Sequence, residues 1–476
     1  MKNSFIKLLI VSLIGMLAYS SVSAQENTTL YFMKGISQSD LQNPALHNDS
    51  SKVVLGLPGL SGIYLNANSA FAVHDLFHKG TGLQADLLVT DIETFHRAIN
   101  TNNAVEENFS LPLFHLSLRI KKSFFSLAIT EKQSIQTTFA KSLVTFIKDG
   151  NAPYIGKNYD LGDIGMNAIH YREFALGYSN ELIKNKLTLG LKVKALYGES
   201  AFQTQRMNLQ VETAADVSYL NLRSDMKINL AGPVTPEYDA DNYFSGMNSD
   251  NLDVKDYLLQ SGNRGMAFDV GAVYNLTPKI SFSGSIIDMG KISFKNDVTT
   301  LSYVYNYKWE GIDFSKSLNE SKADYVDPGD LIEAEMKKVG DSFKPKKSEF
   351  GSKAFEMTLP TKIYLGGTYQ FSSKFNVGLL NRMYRSATIN RNTLTLSGNA
   401  LIGNFFSLTG TYSIMRDSYQ NNSYNNLGLG MTFRMGSTQL YMVSDNLLAM
   451  RPSRAEFTNI SFGFNFLFGR KKSFKA

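Results

Sequence analysis

The chain of 476 residues contains no cysteine. Without a thiol it can form no disulfide framework, no cysteine-ligated zinc site and no iron–sulfur cluster, and it cannot use thiol catalysis. Its 11 prolines and 36 glycines do not gather into a linker-like stretch. We therefore expect one large domain rather than several domains joined by flexible segments.

Long apolar runs are also missing. After the first residues, no stretch reaches the roughly 18 to 20 uninterrupted apolar residues of a membrane helix, and the mean hydropathy is only -0.17. A transmembrane strand can hide in such a chain, because only its alternate residues face lipid. Aromatic residues make up 12% of the chain, as 32 Phe, 24 Tyr and one Trp. This composition suits the lipid-facing bands and interfacial girdles of a barrel.

Positive charge exceeds negative charge by 6, and the isoelectric point is near 9.0. The lysines and arginines are scattered along the chain, and the basic stretch at 470–475 is short. We therefore expect no nucleic-acid partner.

The N-terminus has the pattern of an export signal. Lys2 and Lys7 precede an apolar stretch at 8–17, and small residues lead up to Ala24 and Gln25. We predict a signal peptide at 1–24, cleaved between Ala24 and Gln25. The alternative, an uncleaved anchor helix, is disfavoured because the apolar stretch is short for a bilayer.

Strict alternation of side chains is the main structural signal. The stretch 460–468 places Ile460 and four phenylalanines on one face, and Ser461, Gly463, Asn465 and Leu467 on the other. Similar runs occur near 187–194, 280–286, 406–414 and 427–435. We expect 460–468 to be the closing strand, paired with a first strand near 60–73. A helix would not sustain a period of two, so the pattern predicts an all-β, antiparallel transmembrane β-barrel with a polar lumen. The lumen face would carry Lys192 and Lys194, opposed by Asp269, with Arg119 and Arg434.

Short polar junctions separate pairs of these runs. They lie at 121–123, 184–186, 277–278, 372–373, 403–404 and 436–437. Tight turns of this kind join antiparallel strands and lie on the periplasmic side of bacterial barrels. Counting strands between them predicts about 14, within a range of 12 to 16. The larger number requires that 202–213 and 217–230 form an extra barrel hairpin rather than an extended outer loop.

The remaining segments give a domain map. Residues 25–50 are expected to be a hatch inside the lumen, in which 29–33 is β-prone, and 51–468 to be an outer-membrane barrel. A charged insert at 311–358 is predicted to be extracellular, with a short helix from Pro328 to about Gly340, capped by Asp327. Short helices are also predicted in loops, within 75–100 and 136–149. The residues 469–476 would form a basic periplasmic tail.

Several stretches carry a resemblance. The sequences at 41–45, containing Asn43-Pro44-Ala45, and at 54–64, with 285–290 and 440–447, resemble a family of uncharacterised outer-membrane barrels from Bacteroidota, a domain of unknown function. That family is more distantly similar to FadL-like fatty-acid porins and to PorV-type barrels of type IX secretion. The resemblance implies a bacterial outer-membrane barrel of about 14 strands, with the Asn-Pro-Ala turn in its hatch. It does not imply a substrate.

Candidate chemistry is sparse. His74 and His78 have the spacing of two ligands on one helix face, but no third ligand is identifiable, so we predict no metal site. The aspartate-rich stretch 239–256 lacks the glycine and terminal glutamate of a calcium loop. No Gly-x-Ser-x-Gly motif is present. We therefore predict no catalytic residue, no cofactor and no enzymatic activity.

Binding residues are predicted in the hatch and outer loops. Asn43, Pro44 and Ala45 form the hatch turn. A hydrophobic ligand would contact Phe32, Leu41, Leu76 and Phe77; the alternative is that these residues only pack the plug.

Two functions fit these features. The first is a passive channel or FadL-like transporter of small molecules, hydrophobic ones included, in contact with outer-membrane lipid. The second is a structural or PorV-like secretion-accessory barrel, whose long outer loops bind a secretion or surface protein.

Overall fold

The computed structural model describes residues 28–469, apart from 34, 48–50, 70, 81, 83–84, 86, 250–252, 319–320, 323, 404 and 448–456. The predicted signal peptide, its cleavage site at Ala24 and Gln25, and all but the first residue of the basic tail lie outside the described residues.

The described chain forms a closed antiparallel barrel of 14 strands. Each strand pairs with the next along the chain, and the last pairs with the first. Its strands are β1, in two parts, Val53–Gly56 and Ile63–Ser69, β2 Asn102–Ile120, β3 Ser123–Ala140, β4 Gly165–Ile183, β5 Leu187–Thr213, β6 Asn263–Asn275, β7 Ile280–Phe294, β8 Thr361–Ser372, β9 Phe375–Arg385, β10 Asn390–Ile402, β11 Phe406–Asp417, β12 Asn422–Met435, β13 Thr438–Ser444 and β14 Phe457–Phe468.

Closure is made by β14, as the sequence predicted. Val53 pairs with Phe468 in the first part of β1, and Ile63 pairs with Phe462 in the second. We predicted one first strand near 60–73, and this prediction is wrong in its bounds: residues 57–62 interrupt β1. Pro58 lacks the N–H that a sheet ladder needs, and Gly59 has a φ of +71°.

The two faces of the strands differ as alternation predicts. In β14, Ile460 and Phe468 are 47% and 49% exposed, whereas Ser461 and Asn465 are buried. Large apolar side chains stand outward on neighbouring strands too, including Leu365 and Leu396, which are more than half exposed. A water-soluble surface does not carry an apolar belt of this extent, so the outer face of the barrel is suited to lipid.

All six predicted short turns are confirmed. They join strand pairs at one end of the barrel, which we call the turn end; the opposite end is the loop end. Lys121, Asn185, Gly403 and Gly436 have φ values between 56° and 62° in these turns. Such left-handed conformations reverse a chain within a few residues.

The prediction of 14 strands is confirmed over the alternative of 16. The residues Leu220–Ala231 pair with the outer part of β5 and also with Val298–Trp309, beyond the barrel wall. The three segments therefore form a projecting outer sheet, called here the outer ribbon, rather than extra barrel strands. Further short strands at the loop end are Phe77–Lys79, Leu88–Thr90, Asn158–Asp163, Thr235–Tyr238, Phe244–Asn248, Phe350–Gly351 and Phe355–Thr358.

Helices lie in the hatch and in the loops. The α-helices are α1 Thr28–Phe32, α2 Val73–Leu76, α3 Ile92–Ala98, α4 Lys141–Asp149, α5 Val254–Leu258 and α6 Pro328–Ser342. The 3₁₀ turns are Ser37–Leu41, Ala152–Tyr154, Ser315–Ser317 and Lys347–Glu349. Within the described ranges, no helix combines the length and apolar character needed to cross a bilayer.

Helix prediction succeeded best where capping signals were strong. The side chain of Asp327 accepts a hydrogen bond from the amide of Gly329 and caps α6, although the helix continues past Gly340 to Ser342. The prediction for 136–149 is wrong in its first part, because β3 continues to Ala140. The prediction for 75–100 is also partly wrong, because a two-stranded ribbon separates α2 from α3.

The β-prone interpretation of 29–33 is wrong. These residues form the short helix α1, with Thr28, Thr29 and Phe32 buried inside the barrel. The wall strands beside it already pair with one another, so a strand here would have no free edge to bond. A helix instead satisfies part of its own backbone, and burial against the wall overrides local propensity.

Candidate functional site in the barrel lumen

The barrel lumen is filled towards its turn end by the hatch. The described hatch residues run from 28 to 47, and nearly all of them are buried. Wall glycines make room for them. A side chain built on Gly378 would collide with Phe32, and one built on Gly430 would collide with Met33. The hatch thus packs directly on the backbone of the wall.

The Asn-Pro-Ala turn is seated in this way. A Cβ at Gly190 would lie 2.3 Å from the main-chain carbon of Pro44, and one at Gly271 would lie 2.1 Å from Asn43 Oδ1. Asn43 Nδ2 donates to the carbonyl oxygens of Ala272 and Gly284, at 3.3 Å each. These contacts fix the turn against β5, β6 and β7.

Asn43 also organises the turn itself. Its Oδ1 accepts a hydrogen bond of 2.9 Å from the amide of Ala45. This is an Asx turn, in which the side chain takes the place of a backbone acceptor. Ser285 Oγ donates to the carbonyl of Gln42 at 2.6 Å. The turn is therefore bonded both internally and to the wall.

Other hatch contacts reach the opposite wall. The amide of Thr29 donates to Asp445 Oδ1 at 2.8 Å, and the hydroxyls of Thr29 and Thr411 lie 2.7 Å apart. Gln38 Nε2 donates to Asn465 Oδ1 at 2.7 Å. Hydrogen bonds between polar groups therefore hold the hatch to this part of the wall, whereas a uniformly apolar core is held by packing alone.

A cavity of ≈ 180 Å³ lies above the hatch, towards the loop end. By the volume that one water needs, it has room for on the order of ten waters or one small molecule. The hatch contributes Leu30, Leu41 and Gln42 to its floor. Five tyrosines from the wall also line it: Tyr64, Tyr171, Tyr364, Tyr384 and Tyr441.

Paired charges surround the cavity. Lys194 Nζ lies 2.7 Å from Asp269 Oδ2 and also contacts Asp288. Lys132 Nζ lies 2.6 Å from Glu173 Oε2. The opposition of Lys194 and Asp269 that alternation predicted is confirmed. Because charges of both signs are paired, the lining is locally close to neutral rather than of one sign.

A second ion-paired group lies on the side of β10. Arg391 Nε donates to Asp417 Oδ2 at 2.7 Å, and its Nη2 contacts Glu106. Arg391 is 2% exposed and both acids are buried. These charges tie the wall together across strands that are distant in sequence.

The structure separates the residues predicted to bind a hydrophobic ligand. Phe32 is buried in the hatch against Tyr31 and Leu380, while Leu41 lines the cavity. Leu76 packs in an outer-loop cluster with Phe71 and Phe95, and Phe77 is 37% exposed in the same loop. The four residues therefore do not form one pocket, and their role in ligand binding stays a prediction.

Sequence reasoning missed most of the cavity lining. Lys132, Glu173 and Asp288 lie on strands β3, β4 and β7, and only strand register brings them together. Strand parity could have placed Lys132 and Glu173 on the lumen face. No signal within a single strand indicates which charges form pairs.

The fold and the lumen define the class of protein: a closed, lipid-suited β-barrel that holds an internal hatch. The sequence profile of a family described as a family of unknown function, DUF5723, matches residues 44–445. The chain belongs to this family. A search of curated proteins gave no match.

Solved structures that match this chain include a FadL homologue from Pseudomonas aeruginosa, with 12% identity and a TM-score of 0.42 over 95% of this chain and 96% of that chain. The CymD monoaromatic hydrocarbon channel has 11% identity and a TM-score of 0.41 over 91% and 93%. The toluene transporter TodX of Pseudomonas putida has 8% identity and a TM-score of 0.36 over 94% and 93%. A Bacteroidota origin and a similarity to PorV-type barrels stay predictions.

Proposed function

We propose that this protein is a passive channel or transporter of small molecules, hydrophobic ones included, in the bacterial outer membrane. The observation that carries the proposal is the cavity directly above the hatch. A solute would enter from the loop end, on the cell exterior, and rest among the tyrosines. Movement of the hatch would then let it continue to the periplasmic turn end.

The contacts of the hatch support such a movement. Many are single hydrogen bonds between small polar groups, such as Thr29 with Thr411 and Ser285 with Gln42. A net hydrogen bond contributes only about 0.5–1.5 kcal/mol, so a limited set can exchange with water as the hatch shifts. The wall is a continuous ladder of strand pairs, which supplies a rigid frame for that movement.

Uptake by proteoliposomes tests the proposal. Purified protein would be reconstituted and offered a graded set of neutral sugars and small hydrophobic solutes. We expect uptake that exceeds that of protein-free liposomes and that falls with solute size. Uptake equal to the protein-free background for every solute would contradict the proposal.

An accessory role in secretion is the second candidate function. The outer loops leave Leu318, Met336 and Ile332 exposed, at 82%, 62% and 44%. Exposed apolar side chains beside a projecting ribbon favour a protein partner at the loop end. Crosslinking in native membranes should then recover one stoichiometric partner. Repeated recovery of the barrel alone would count against this role.

A further inference from the structure

We propose that Glu131, His170 and Glu199 form a binding site for a divalent transition metal, of which zinc is the probe of choice, on the outer face of the barrel wall. The site is separate from the lumen, and it does not depend on the proposed transport function. It would join three neighbouring strands next to an outer loop.

The three residues come from the adjacent strands β3, β4 and β5. On β3, Glu131 is an even number of residues from Phe125 and Leu127, so it lies on the same, outward face of the strand. On β4, His170 has the same parity as the outward-facing Phe174 and Leu176. The site therefore lies outside the wall, beyond the end of the apolar belt on the loop side.

A β-bulge brings Glu199 to the same place. Ser200 pairs with His170 and Gly198 pairs with Tyr171, so that Glu199 is an extra residue in β5. The extra residue of a β-bulge changes the direction in which a side chain points, compared with regular alternation along the strand. Here it places the Glu199 carboxylate beside the imidazole of His170.

The donor atoms form a compact group. His170 Nε2 is 3.2 Å from Glu131 Oε1, and His170 Nδ1 is 3.1 Å from Glu199 Oε2. One ligand atom from each residue lies within 4.8 Å of the others. One imidazole nitrogen with two carboxylate oxygens is a donor set suited to zinc, with a fourth position left for water. Calcium prefers oxygen ligands alone, so the imidazole argues against it.

Glu199 provides an independent indication of a ligand. Its side chain is fully buried, yet neither carboxylate oxygen accepts a hydrogen bond of acceptable geometry, and the same is true of Glu131 Oε1. A buried carboxylate without such a bond is costly unless a cation balances it.

Arg172 supplies one positive charge but leaves the proposed ligand atoms available. Its Nε and Nη2 both lie 2.8 Å from Glu131 Oε2, and Nη2 is 3.4 Å from Glu199 Oε1. Two acidic side chains thus share one guanidinium. A divalent cation would give the buried oxygens of both acids a common partner.

Tyr257 completes the environment from the loop. Its hydroxyl lies 2.6 Å from His170 Nδ1 and 3.0 Å from Ser200 Oγ. Metal-binding histidines commonly have their second nitrogen held by an oxygen partner, which orients the ring. Because Tyr257 belongs to α5, its bond to Nδ1 attaches this outer loop to the wall, and a metal on Nε2 would leave that bond in place.

Zinc titration of the purified, chelator-treated barrel tests the site. We expect one equivalent of zinc by calorimetry and elemental analysis, and X-ray absorption should show imidazole nitrogen and carboxylate oxygen ligands. Glu199→Gln should weaken binding by about tenfold or more. Glu212→Gln on the same strand, where the acid pairs with Arg223, is the matched control and should bind zinc like the parent protein.

Folding of each variant would be checked by the heat-dependent shift of the barrel on gels. Absence of stoichiometric zinc from the folded parent protein would overturn the proposal. So would equal zinc affinity in the folded Glu199→Gln and His170→Gln variants, because the metal would then be bound elsewhere.

Discussion

The side-chain amide of Asn43 lies 3.3 Å from the carbonyl oxygen of Gly284, across 241 residues of sequence. This contact attaches the Asn-Pro-Ala turn of the hatch to β7 of the wall. The same amide bonds Ala272 on β6. Asn43 is thus the residue through which the hatch is fastened to two neighbouring strands at once.

Replacing this residue should loosen the hatch without unfolding the barrel. Asn43→Ala removes two bonds to the wall and the acceptor for the amide of Ala45. The hatch should lose about 1–3 kcal/mol of local stability, and its amides should exchange hydrogen faster. Hydrogen exchange followed by mass spectrometry would measure this change. Asn158→Ala, whose parent side chain bonds Gln210 at an exposed site, should leave hatch exchange unchanged.

The wall glycines that contact the hatch lead to a steric prediction. In Gly190→Ala the new methyl group would meet the main chain of Pro44 at 2.3–2.5 Å, and neither backbone can yield easily. We expect a loss of about 1–3 kcal/mol in stability, which is typical of overpacking, and faster proteolysis of the hatch. Gly398→Ala, where nothing lies within 4 Å of the new Cβ, is the control. Equal behaviour of the two variants would mean that the hatch does not rest on Gly190.

The lipid-facing belt can be tested at Leu396, which is 56% exposed near the middle of β10. Leu396→Arg should cost about 2–4 kcal/mol if this position lies near the bilayer midplane. Unfolding by urea in lipid vesicles would measure the difference. Leu318→Arg, in an outer loop where the parent side chain is 82% exposed, should change stability little. A neutral effect at Leu396 would place that surface in water.

The sequence predicted the wall better than its contents. Alternation in 460–468 predicted the two faces of β14, and the spacing of short turns predicted 14 strands, because both depend on local periodicity. The helix α1 was missed because its surroundings come from strands hundreds of residues away. The pairing of Lys132 with Glu173 was missed for the same reason, since register between separate strands decides it. Pro58 is a sequence signal for the break in β1, because proline lacks the N–H of a sheet ladder. The extent of the break depends on both neighbouring strands.

Uptake through a barrel whose hatch is locked to the wall tests the central claim most directly. The chain has no native cysteine, and the hydroxyls of Thr29 and Thr411 lie 2.7 Å apart, so Thr29→Cys with Thr411→Cys should join hatch and wall by a disulfide. Thr395→Cys with Ser413→Cys would join two wall strands at hydroxyls 2.8 Å apart and serves as the control. We predict that proteoliposome uptake falls to background when the hatch pair is oxidised and returns on reduction, while the wall pair is insensitive to both. Equal uptake by the oxidised and reduced hatch pair, with the disulfide verified, would contradict the account.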